Sequence, residues 1–97
     1  MRIEWSAEAG HDLREVHASI VQDNKTAAAR VIRAIREGVQ ALSENPLMGR
    51  IGGVAGTREL VLSRYPYLVV YRVKKHGVRV LAVIHTSRHW QVDFSRE

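Results

Sequence analysis

The sequence predicts an α+β fold in the order β-α-α-β-β-β, with an antiparallel helical hairpin packed on one face of a small antiparallel sheet. Three observations carry that expectation. Ala28, Val31, Ile32, Ile35, Val39 and Leu42 recur at helical spacing and mark one amphipathic helix. Ala9, Leu13, Val16 and Ile20 repeat the pattern upstream, with only Gln22-Asp23-Asn24 in between, so two helices fold back on each other. Residues 67–75 and 78–85 are apolar-rich runs flanking His76-Gly77, which reads as a hairpin.

Taken in order, residues 2–5 form a short first strand in which Ile3 and Trp5 alternate with Arg2 and Glu4. Ser6 suits the N-cap of the first helix, and Glu8 places a negative charge in its first turn. Asn24 can cap the second helix, whose outer faces carry Arg30, Arg33, Arg36 and Glu37. Gly38 costs about 1 kcal/mol inside a helix, so a close packing contact is expected there. Asn45-Pro46 ends the helix, because a residue before proline avoids the α region. Residues 46–56 hold four of the seven glycines and read as a loop; residues 57–62 read as the second strand.

In the hairpin, Gly77 is expected to supply a positive φ. Pairing Lys75 with Val78 puts Tyr71 opposite Ala82 and Leu68 opposite His85. One face then carries Tyr67, Val69, Tyr71, Val73, Val80, Ala82 and Ile84, and is assigned to the helices. The other carries Leu68, Val70, Arg72, Lys74, Arg79, Leu81, Val83 and His85. That mixture of apolar and basic side chains suits a surface covered by a partner.

Composition narrows the function. Ninety-seven residues make a single domain, 1–97. The chain has no cysteine, which excludes disulfides, thiolate zinc sites and cysteine nucleophiles. No apolar run approaches the ~20 residues of a membrane span and the N-terminus lacks an apolar signal core, so a cytoplasmic location is expected. Twelve of the fifteen basic residues are arginine and the net charge is +5. Arginine's planar fork suits phosphate or carboxylate, so nucleic acid or an acidic protein surface is the expected partner. His85 and His89, four apart, lack further ligands for a metal. His11 and His17 read as solvated. Gly49, Gly52, Gly53 and Gly56 lack the lysine and the strand-to-helix setting of a phosphate loop. No cofactor or metal is expected. Trp5 and Trp90 read as packing residues, and residues 91–97 as a polar tail.

Five stretches occur in an ordered set: Pro46-Leu47-Met48-Gly49-Arg50, Gly56-Thr57-Arg58-Glu59-Leu60, Tyr65-Pro66-Tyr67, Val70-Tyr71-Arg72-Val73 and His85-Thr86-Ser87-Arg88-His89-Trp90. In order and spacing they resemble the RelE/ParE toxin superfamily, along nearly the whole chain. The resemblance implies a type II toxin that forms a hetero-oligomer with an acidic antitoxin. Residues Leu68, Val70, Arg72, Arg79 and Leu81 of the sheet, with Arg30 and Arg33 of the second helix, are the expected antitoxin contacts.

The superfamily has two activities. RelE-like members cut messenger RNA in the ribosome without a metal, which needs a base for the 2′-hydroxyl, cations for the phosphate and an acid for the leaving oxygen. Their basic residues stand at alternate positions on the second strand and at the start of the third. The aligned positions here are Glu59, Val61 and Leu68, none of them basic. ParE-like members inhibit DNA gyrase by binding, which needs surface rather than catalytic groups, and the resemblance points to this branch. The alternative, with ribosome and mRNA as partners, would use Arg58, Arg72, His85 and Arg88, with His85 as acid or base and Tyr65 or Tyr67 stacking on a base.

Overall fold

The structure, a computed structural model, describes residues 1–91, with side chains through Arg88. Its elements are β1 (Arg2–Trp5), α1 (Ala7–Val21), α2 (Lys25–Ala41), β2 (Arg50–Ile51), β3 (Arg58–Val61), β4 (Tyr67–Lys74), β5 (Gly77–His85) and a 3₁₀ segment, Thr86–Gln91. Both helices begin where their caps predict. The Ser6 hydroxyl accepts from the Ala9 N–H at 3.0 Å, and the Asn24 side chain accepts from the Ala27 N–H at 2.9 Å. The second helix ends at Ala41, four residues short of Asn45, so proline forbids re-entry rather than setting the end.

The strands form one sheet in the order β1-β5-β4-β3-β2. It is mixed, not wholly antiparallel, because β1 runs parallel to β5, from Arg2↔Gly77 to Trp5↔Val80. This direction lets β1 hand the chain directly to the helical layer. At the crossing, the Ser6 N–H donates to Val80 O (3.0 Å) and its hydroxyl reaches Leu81 O (3.4 Å). A short extra strand, β2, appears within the expected loop and pairs antiparallel with β3.

The β4–β5 register differs from the sequence expectation in two ways. Lys74 pairs with Gly77, so the turn is Lys75-His76, and Gly77 does not adopt a positive φ; among the described residues only Gly56 does. Gly77 is required instead by β1, since a Cβ there would run into Arg2 O. Further along, Tyr71 pairs with Val80 but Val70 pairs with Ala82, leaving Leu81 as the extra residue of a β-bulge. One inserted residue exchanges the faces beyond it. Ala82 and Ile84 therefore leave the helical side, while Val83 and His85 join it.

The core lies between the helices and one sheet face. Ala9, Leu13, Val16, Val31, Ile35 and Val39 meet Val69, Val80 and Val83, with Ile3, Trp5, Ile20, Ile32 and Leu60 at the margin. A second group, Leu42, Tyr71 and Val78, closes the end near the α2 terminus. Gly38 is the close contact its position in α2 implied: a Cβ would sit 3.3 Å from the methyls of both Leu60 and Leu62. Gly38→Leu should therefore overpack the α2–β3 contact and cost about 1–3 kcal/mol, read from urea unfolding.

Tyr71 fastens the loop after α2. Its buried hydroxyl donates to Pro46 O at 2.7 Å and accepts from the Gly49 N–H at 2.9 Å. Gly49 has no room for a side chain, because a Cβ would lie 2.8 Å from the tyrosine ring and 2.9 Å from Glu59 O. Burial pushes the Tyr71 hydroxyl above its ordinary value, against the lowering effects of the Gly49 hydrogen bond and the Arg58 charge. The folded chain thus holds this proton more tightly than the unfolded one. Its contribution is complete below about pH 10 and is lost as pH rises through the higher folded value. Tyr71→Phe should cost about 1–3 kcal/mol at neutral pH by orphaning the Gly49 N–H. It should also flatten the loss of stability above about pH 10, and denaturant melts of both proteins from pH 8 to 11.5 measure both effects.

Candidate partner-binding surfaces and catalytic residues

Arg58 and Arg72 are both turned toward the chain's own loop. Arg58, opposite Tyr71 on the helical side of the sheet, donates to Gly49 O at 2.8 Å and to Leu47 O at 3.3 Å. Arg72, on the other side, reaches Ala55 O at 3.4 Å and fills the space over Gly56, where a Cβ would strike its guanidinium. Gly56 has φ +82°, so both backbone conformation and space require glycine there. These arginines secure the loop between α2 and β3.

His85 and Arg88 lie elsewhere. His85 pairs across the strands with Tyr67, and their rings meet edge to face with centroids 5.2 Å apart. Both residues, with Arg88, Asp12, Glu15 and Ser19, line a cleft of about 470 Å³ between α1 and the end of β5. From Tyr67 to Arg72 the strand advances five residues, about 17 Å. Arg72 also projects from the opposite face. The four candidate RNase residues thus divide into His85 with Arg88 in the cleft, and Arg58 and Arg72 at the loop.

The His85 ring is further constrained by Ser87. Its Nδ1 lies 3.1 Å from the Ser87 N–H, which can only donate, and 2.8 Å from the Ser87 hydroxyl. Nδ1 is therefore the acceptor nitrogen, and the neutral ring carries its proton on Nε2.

Glu59, Val61 and Leu68, the positions singled out by the resemblance, differ in their surroundings. Glu59 is buried at 2% exposure, and its Oε1 receives Arg50 through Nε at 3.0 Å and Nη2 at 2.9 Å. A buried carboxylate requires such a partner. Leu68 is buried, and Val61 is exposed at the β3 edge.

The expected antitoxin contacts also divide. Leu68, Val70 and Leu81 lie on the face away from the helices, as expected, but are buried there with Ala82, against which Ile84 packs. An apolar partner would gain little area from side chains already shielded. Arg72 and Arg79 stand opposite each other on the basic half of this face, with Arg79 3.8 Å from Glu4. Arg30 and Arg33 are exposed on α2 and line a separate groove of about 500 Å³ with Arg64, Val61, Leu62 and Tyr65.

Sequence reasoning overlooked Asp12, Arg50 and Arg64. Asp12 accepts from the Val83 N–H at 3.0 Å, supporting β5 where β1 has ended. No local pattern marks that contact, which joins residues 71 positions apart. Arg50 is the partner that the buried Glu59 needs, but no local pattern in the sequence marks Glu59 as buried.

The comparisons with known proteins bear on this arrangement directly. Residues 3–90 match the family described as "ParE toxin of type II toxin-antitoxin system, parDE". The chain belongs to the ParE toxin family. A toxin-named relative from Sinorhizobium fredii (strain NGR234), Y4kP, is 43% identical over 89 residues, covering 92% of each chain. Among solved structures, the chromosomal ParDE toxin–antitoxin system of P. aeruginosa contains a chain with a TM-score of 0.79 and 28% identity, covering 88% of this chain and 95% of that one. A chain of the RelBE2 toxin–antitoxin complex from Mycobacterium tuberculosis gives a TM-score of 0.63 at 25% identity, covering 86% and 94%. The two helices on a five-stranded sheet are thus the fold of this ParE-family toxin. No helix among its described residues is long and apolar enough to cross a membrane.

The histidine geometry of this ParE-family chain has a direct readout. ¹⁵N NMR at alkaline pH should show the neutral His85 ring as the Nε2–H tautomer; a dominant Nδ1–H signal would contradict the Ser87 contact.

Proposed function

We propose that this ParE-family chain inhibits DNA gyrase by binding it, and that a cognate antitoxin holds it inactive. The observation that carries this reading is the fate of the cations. Where RNA cleavage calls for exposed basic groups, the chain has a buried glutamate, a valine and a buried leucine at 59, 61 and 68. Arg58 and Arg72 reach carbonyls of the chain's own loop. A toxin that works by binding needs no constellation of bases and acids around a phosphate. The antitoxin partner is supported by the likeness to chains solved as the P. aeruginosa ParDE system and the M. tuberculosis RelBE2 complex. On the toxin, Arg30, Arg33, Arg72 and Arg79 are the charged contacts we assign to it, with Leu68, Val70 and Leu81 backing the sheet beneath Arg72 and Arg79. Action on gyrase places the protein in the cytoplasm.

One observation favours the second reading, a ribosome-dependent mRNA endonuclease: His85, Arg88 and Tyr67 share one cleft. Purified toxin should block supercoiling by gyrase in vitro and leave message intact in a translating extract. Undisturbed gyrase at large toxin excess would end the first reading. Cut message that becomes intact with His85→Ala would establish the second.

A further inference from the structure

The β4–β5 turn gathers cations from two parts of the chain. Lys74, Lys75 and His76 follow one another there, and the parallel pairing of β1 sets Arg2 beside Gly77. Lacking a side chain, Gly77 leaves a hollow of about 390 Å³ among these residues and Glu4. Arg2, Lys74, Lys75 and His76 are all exposed. Among the described residues, none of these four side chains has a hydrogen-bond or ion-pair partner. Glu4 is the one acid in the described lining, and its carboxylate stands 3.8 Å from the Arg79 guanidinium.

The lining decides the class of occupant. Among the described residues it consists of two lysines, an arginine, a histidine, a glutamate and a glycine, with no apolar side chain. Protein partners are held through apolar and aromatic cores, and lysine is depleted from such surfaces. A phosphate backbone needs the opposite: long cationic side chains on an open surface, without apolar contact. The surface is open to a broad partner as well. β3 pairs with β4 only as far as Tyr71, so the end of the hairpin extends beyond it.

We propose that this turn binds the phosphate backbone of duplex DNA, with Arg2, Lys74 and Lys75 as the contacts and the hollow over Gly77 as the seat of one phosphate. Contacts of this kind carry no base sequence, so the binding is nonspecific. The inference deepens the gyrase reading and rests on it for its role: a toxin seated on gyrase also grips the DNA on which gyrase acts.

The test uses the full chain, free of antitoxin, and a short fluorescent DNA duplex, with binding read by anisotropy from about 50 to 200 mM salt. The triple variant Arg2→Gln, Lys74→Gln, Lys75→Gln alters only exposed side chains and should bind at least about tenfold more weakly at low salt. Its slope of log affinity against log salt should be shallower by about 2–3. The control Arg14→Gln, Lys25→Gln, Arg36→Gln removes as many exposed charges from the helices and should lose less than about threefold, since charges out of contact are screened. In the wild-type chain, the largest NMR amide shifts on adding the duplex should fall at Arg2 and residues 74–77. That measurement needs no variant, so misfolding of the triple variant leaves the proposal open to refutation. Equal losses in the two variants, largest shifts elsewhere, or tighter binding of a single-stranded RNA of the same length overturn it. So does a triple variant that keeps DNA affinity but no longer binds the acidic protein encoded by the adjoining reading frame, which makes the turn a protein contact. Supercoiling unaffected by the wild-type toxin ends the gyrase reading and the role drawn from it, while the DNA measurements decide the surface itself.

Discussion

The arrangement of the cleft that holds His85 depends on one extra residue in β5. A strand alternates its side chains with a period of two, so Leu81, standing between the partners of Tyr71 and Val70, decides what lies on each face beyond it. With the bulge, Val83 enters the helical core and His85 stands against Tyr67. Without it, His85 would share a face with Arg72 and Arg79. The bulge lies where β1 ends and the chain rises into α1, and two α1-side groups support it: the Ser6 hydroxyl at Leu81 O and the Asp12 carboxylate at the Val83 N–H. The start of α1 thus provides the hydrogen-bonding partners that a neighbouring strand would otherwise supply.

A second constraint acts at the opposite corner of the sheet. The loop between α2 and β3 is rich in glycine, yet it is held by side chains that project from the sheet. Tyr71 joins Pro46 to Gly49, Arg58 takes two carbonyls, and Arg72 covers Gly56. The glycines allow this close approach, and the approach fixes the glycines. As a result, Leu47, Met48 and Ile51 stay exposed on a backbone that is tied down. An ordered surface loses less conformational entropy on binding than a loose one. Arg58 and Arg72 shape this corner through the carbonyls they reach.

Much of this was legible in the sequence. The helical stripes, both caps and the close contact at Gly38 follow from spacing and side-chain size, which are local properties. The faces of β5 did not follow, because Val80-Leu81-Ala82-Val83-Ile84 is apolar throughout. A continuous apolar run carries no alternation in which an inserted residue could show. The parallel β1 was equally hidden, since pairing direction is set by where the chain must go next, not by the strand's own composition. Arg58 and Arg72 were legible as candidates, but their contacts with the loop after α2 were not. A sequence shows that an arginine is present, whereas its employment depends on which carbonyls the fold brings within reach.

The exposure of apolar side chains separates two kinds of surface. On the face away from the helices, Leu68, Val70, Leu81 and Ala82 are already shielded, so its remaining contribution is the charge of Arg72, Lys74 and Arg79. In the groove between α2 and β3 the reverse holds: the partly exposed Leu62 and Tyr65 lie among the exposed Arg30, Arg33 and Arg64. Charge alone attracts and orients a partner, but it discriminates weakly and is screened by salt. Apolar contact adds shape, because an ill-fitting partner leaves its apolar side chains in water. The groove thus offers apolar contact beside its charge, whereas the basic face offers charge over side chains already shielded, even though the basic face is the more conspicuous of the two in the sequence.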